Sequence, residues 1–88
     1  MVNTINNPRK INIEGAYDYV AVTPNDSTNL KSITRALYVG ADGNIVVECP
    51  ATGENVIFAG MAGGSIYPIE TKKVLSTGTS ATDIVAIF

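Results

Sequence analysis

Eighty-eight residues with a net charge of −2 and a pI of about 4.8 allow a single domain and offer no basic surface for nucleic acid. The chain has no histidine and one cysteine, Cys49, which removes the commonest metal ligand, the commonest general base and any internal disulfide. Charged residues make up only 16% of the chain, against ~25% in an ordinary soluble domain. A core this small is marginal alone, and with disulfide and histidine-held metal excluded, oligomerisation is the supplement that remains.

Nine valines, ten isoleucines and nine threonines stand against three leucines, a composition that packs on pleated sheets and disfavours helices. Residues 1–14 read as an extended arm, polar apart from Ile5, Ile11 and Ile13, with a short alternating piece over Lys10–Ile13. Its start, Met1 to Pro8, lacks the apolar run of a signal peptide, and no stretch approaches the ~20 apolar residues of a membrane span. Residues 15–88 read as the β domain. Strands are expected over Asp18–Thr23, stopped by Pro24, and over Ile33–Val39, with Ile33, Arg35, Leu37 and Val39 on one side. Asp42-Gly43 predicts a hairpin turn into Asn44–Cys49, whose Ile45, Val47 and Cys49 face together. Pro50–Gly53 turns into Asn55–Ala59, followed by Ser65–Ile69, Thr71–Ser76 and a final strand, Asp83–Phe88. About seven short strands at such spacing predict an all-β, antiparallel sandwich or barrel with no helix longer than two turns.

Val56–Ala59 and Ile84–Phe88 are apolar on both faces, although the outer face of a two-layer β domain is ordinarily polar. Loops, the arm or another subunit must cover them, and the low charge favours the subunit. In the last strand, Ile84, Ala86 and Phe88 are expected in the core and Val85 and Ile87 at an interface. Tyr17 and Tyr19 share a face and suit core packing, an interface or, least of all, ligand stacking.

Catalytic and binding equipment is missing from the pattern. The eight carboxylates fall mostly at turns and strand ends, and no base stands near a nucleophile. Gly60–Gly64 lacks the lysine of a phosphate loop, Asn25-Asp26 lacks the acid spacing of a calcium loop, and Arg9-Lys10 and Lys72-Lys73 are the only adjacent basic pairs. Cys49 is expected to be a small buried apolar residue, and Arg35 either to pair with an acid such as Asp18 or to mark a strand end. These readings imply no enzyme activity, no cofactor, no metal, no nucleic acid and no membrane.

Three segments carry a family resemblance: Tyr17–Thr28 (YDYVAVTPNDST), Thr34–Gly40 (TRALYVG) and Leu75–Phe88 (LSTGTSATDIVAIF). In this order and spacing, from about residue 15 to the C-terminus, the chain resembles the head spike base proteins of tailed phages and of the gene transfer agents of α-proteobacteria. The stretch Glu48–Glu54 and the arm before Gly15 depart from that pattern. The resemblance implies a structural virion protein on the outer surface of the capsid head, forming the base of a spike or a capsid decoration. It further implies the major capsid protein and a spike fibre protein as partners, and a homo-oligomer, pentameric at a vertex, with a trimer as runner-up. A trimeric capsid cement protein and a carbohydrate-binding module for host attachment are the rival readings. The interface is expected at Ile5, Ile11, Ile13, Tyr17, Tyr19, Val85 and Ile87, with the arm adding a strand to a neighbouring subunit or to the capsid.

Overall fold

A computed structural model describes residues 18–88, so the expectations for Ile5, Ile11, Ile13 and Tyr17 lie outside the described residues. Seven strands follow one another: β1 Tyr19–Val22, β2 Ala36–Ala41, β3 Gly43–Glu48, β4 Asn55–Met61, β5 Ser65–Tyr67, β6 Val74–Leu75 and β7 Thr82–Ile87. They form two antiparallel sheets, one ordered β1-β7-β2-β5 and the other β4-β3-β6, and no helix occurs among the described residues. Of the sandwich and the barrel expected from about seven short strands, the fold is the two-sheet sandwich.

Alternation decides which side chains enter the core. Leu37 and Val39 of β2, Ile45 and Val47 of β3, and Ile84 and Ala86 of β7 are all buried at spacings of two. Met61, Ile69, Val74 and Ala81 complete this cluster, with Val22, Leu30, Tyr67 and Phe88 packed at its margin. β7 is central: Ile84 lies between Val22 on one side and Val39 on the other. The chain end is tied down as well. The Phe88 N–H donates to the Asp18 carbonyl (2.8 Å) and the Phe88 carbonyl accepts from Arg35 Nε (3.1 Å). Lys31 lies over the Phe88 ring, 4.8 Å from its centroid, and pairs with Asp18.

Four expectations about the strands need correction. Asp42-Gly43 is not a hairpin: β2 and β3 belong to different sheets, and the chain turns a corner between the layers there. A Cβ on Gly43 would come within 2.4 Å of the Ala81 nitrogen, so glycine is required by close backbone approach at this corner. The second strand starts at Ala36, leaving Ile33 49% exposed. The cause is Thr34, whose hydroxyl donates to the Ile69 carbonyl (2.8 Å) and accepts from the Thr71 N–H (3.1 Å), while its own N–H donates to the Thr71 carbonyl (2.9 Å). Pro68 follows β5, which ends at Tyr67 rather than Ile69. β6 shrinks to two residues: the Lys73 carbonyl still accepts from the Glu48 N–H (3.1 Å), but beyond it the Thr71 hydroxyl, not a main-chain N–H, meets the Glu48 carbonyl (2.7 Å). Pro50–Gly53, by contrast, does close the β3–β4 hairpin, with Gly53 at φ +79°.

Candidate assembly surfaces

The outer face of the four-stranded sheet follows from its register. Residues paired across antiparallel strands share a face. Val85 therefore lies in one row with Ala21, Tyr38 and Ile66, crossing all four strands, and Ile87 in a second row with Tyr19 and Ala36. None of these seven residues is charged. Tyr19 is 73% exposed and Ile66 49%, while Val85, Ile87 and Tyr38 are half-buried. Three residues expected at an interface, Tyr19, Val85 and Ile87, thus come together, with Tyr19 and Ile87 direct cross-strand neighbours. Tyr38 and Ile66 belong to the same face, and the sequence did not single them out because they join it only through strand pairing.

A second apolar surface lies along β4, an edge strand whose first six residues are all exposed. Val56 pairs with Val47 and Phe58 with Ile45, so both point to the inner side of their sheet. They nevertheless stay 43% and 38% exposed. The strand that would cover them in the opposite layer, β5, is only three residues long. An open groove of about 250 Å³ results, walled by Val47, Cys49, Pro50, Val56 and Phe58 on one side and by Pro68, Ile69 and Glu70 on the other. Ile57, on the outer side of β4, is 53% exposed. Edge strands of soluble monomers usually carry a charge, a proline or a bulge against unwanted pairing; Asn55–Val56–Ile57–Phe58 carries none of these, and the bulge of β4 falls after it, between Phe58 and Met61 with Gly60 at φ +70°.

Cys49 lies at the groove, half-buried rather than buried, because β3 ends at Glu48 and the chain turns there. The hydroxyl and N–H of Thr52 and the N–H of Ala51 stabilise its thiolate and hold its pKa below the usual thiol value, against desolvation and the Glu54 carboxylate. Arg35 stands one residue before β2, with its Nε donating to the Phe88 carbonyl.

The remaining polar groups are occupied with loop structure. Asn25 Oδ1 accepts from the N–H groups of Ser27 (2.8 Å) and Thr28 (3.1 Å). Asp26 Oδ1 accepts from the N–H groups of Ser76 (2.8 Å) and Thr77 (2.9 Å), pinning the loop after β1 to the loop after β6. Hydrogen bonds from Thr77, then from Ser76, hold the Asp26 carboxyl down to about 2 from 3.8. Glu48 pairs with Lys73 at 3.3 Å. Among the described residues, no group of three or more His, Cys, Asp or Glu is placed to hold a metal ion.

With this geometry in place, the chain can be set beside known proteins. No family model and no curated protein matches it. Among solved structures, it matches a chain in the "Capsid of native GTA particle computed with C5 symmetry", GTA standing for gene transfer agent. The two are 35% identical, with a TM-score of 0.74, over 92% of this chain and 94% of the other. The chain belongs to a family of GTA capsid proteins. Membership makes it a capsid-related structural protein, and both chains are matched nearly end to end, so the shared unit is the whole β-sandwich. In this GTA capsid family member, the surfaces that need explaining are apolar strand faces, the kind of surface that assembly buries.

Proposed function

We propose that this protein decorates the outside of a gene-transfer-agent or tailed-phage head as a non-enzymatic homo-oligomer, forming the base of a head spike. The observation that carries the reading is the uncharged part of the outer face of the four-stranded sheet, Ala21–Val85–Tyr38–Ile66 and Tyr19–Ile87, in a member of a capsid protein family. A soluble monomer of this size gains nothing by exposing such a face, whereas a subunit buries it against its neighbours or the shell. The C5 symmetry named for the related particle favours a pentamer. The major capsid protein beneath and a spike fibre above are the partners of that placement.

The test is imaging of native particles from producing cells with and without this gene. Density outside the shell at the vertices, lost on deletion and restored by complementation, is the expected outcome. Particles that retain all external density without the gene refute the placement, and so does finding the protein inside the shell.

A further inference from the structure

We infer that the groove along β4 is the acceptor for the N-terminal arm of a neighbouring copy, which pairs with the β4 edge and inserts Ile11 and Ile13 between the sheets. This rests on the homo-oligomeric part of the function proposed above.

The acceptor is an incomplete flank of the sandwich. Among the described residues, β4 has no strand on its outer edge over Asn55–Ala59, and none covers Val56 and Phe58 because β5 ends so early. An added strand satisfies both deficits, through main-chain hydrogen bonds along the edge and apolar side chains at alternate positions in the groove. The chain contains one segment outside the described sheets with that pattern. Lys10-Ile11-Asn12-Ile13-Glu14 alternates so that both isoleucines face one way and the polar residues the other. The charges also match: Glu70 lines the groove and Glu54 lies near Cys49 at its border, neither with an ion-pair partner among the described residues, and Arg9-Lys10 precedes the isoleucines in sequence.

Topology assigns the donor to a second copy. β1, from which the arm departs, lies on the β6 flank, since the Asn25 N–H after β1 donates to the Val74 carbonyl (2.9 Å). β4 lies on the β5 flank, since the Tyr67 hydroxyl accepts from the Ala62 N–H (2.9 Å) just past β4. Donor and acceptor therefore occupy opposite flanks. A closed ring with rotational symmetry needs two different, complementary patches on each subunit, and it sets one flank of each copy against the other flank of the next. Both ends of the contact sit at the same base of the sandwich, where Asp18 meets Phe88 and where Cys49 and Pro68 border the groove. From Asp18 back to Ile13 and Ile11, an extended chain would reach roughly 16–23 Å.

Cys49, the only thiol, lines the groove and serves as a built-in reporter. Full-length Ile11→Cys and Ile13→Cys variants, treated with a short bis-maleimide at assembly concentrations, should link each arm to Cys49 of the next copy. The expected readout is most of the protein running as dimers and higher multiples on a denaturing gel. That ladder should be absent from the wild type and from Ile13→Cys/Cys49→Ser. A link within one chain, seen as monomer mass with both thiols consumed, overturns the inference. So does an absent link in a protein that still has oligomeric mass by light scattering, which leaves the proposed function standing. An absent link in a monomer overturns both.

Discussion

Truncating Ile84 to alanine tests whether β7 is the centre of the fold. Ile84 is 2% exposed and lies between Val22 and Val39 in the middle of the four-stranded sheet. The substitution removes three carbons, ~2.4 kcal/mol of transfer free energy at ~0.8 kcal/mol each. A strand held on both sides relaxes little, so a cavity cost is added and the total should reach about 3–4 kcal/mol, within the range seen for such truncations. In a domain of this size each kcal/mol moves the melting temperature by ~4–8 °C, so a fall of at least ~12 °C is expected. Thermal melts followed by far-ultraviolet circular dichroism, at one fixed protomer concentration, read this directly. Ile66→Ala, on the half-exposed edge strand, is the comparison and should shift far less. A shift below ~4 °C for Ile84→Ala would refute the assignment of this side chain to a tightly packed, load-sharing centre.

Val85→Asp and Ile87→Asp place a carboxylate on the outer face of the same strand, and the subunit should still fold while its oligomer dissociates. Light scattering together with circular dichroism checks this, and normal assembly of both variants would remove that face from the interface. Asp26 has a folded pKa of about 2 against an ordinary 3.8, so its contribution to stability is full above 3.8 and lost as the pH falls through about 2. Melting temperatures measured across that interval should fall more steeply for the wild type than for Asp26→Asn, and parallel curves would contradict it. Gly43→Ala should destabilise the fold by pressing its Cβ against Ala81, whereas Gly64→Ala, strained in φ but with no atom within 4 Å, should cost less; denaturant titration gives the order.

Local features of the sequence carried over well, and non-local ones did not. The alternation in Asn44–Cys49 and Asp83–Phe88 assigns Ile45, Val47, Ile84 and Ala86 to the core without knowledge of their partners. Asp42-Gly43 looks like a hairpin because the dipeptide reports only local backbone freedom, and nothing in it says that β2 and β3 join different sheets. The start of β2 was misplaced because Thr34 answers to Thr71, 37 residues away. Val56 and Phe58 were legible as apolar on both sides of their strand. That they border a groove depends on how far β5 extends across the opposite layer, a matter of tertiary arrangement. That Val85 and Ile87 share a strand face is legible from alternation alone, while placing Tyr19, Tyr38 and Ile66 on that face needs the register.

The pairing of the earliest described strand with the last has a consequence for biosynthesis. Among the described residues, β1 finds its only ladder partner in β7, and β7 also separates β1 from β2. Until β7 has left the ribosome, the larger sheet lacks one of its two inner strands, and β1 waits for its partner across some sixty residues. Such distant closure makes folding slow compared with a protein of local contacts. It also makes completeness a condition of competence: a product cut short before Ile84 has neither a closed sheet nor the Val85 and Ile87 surface.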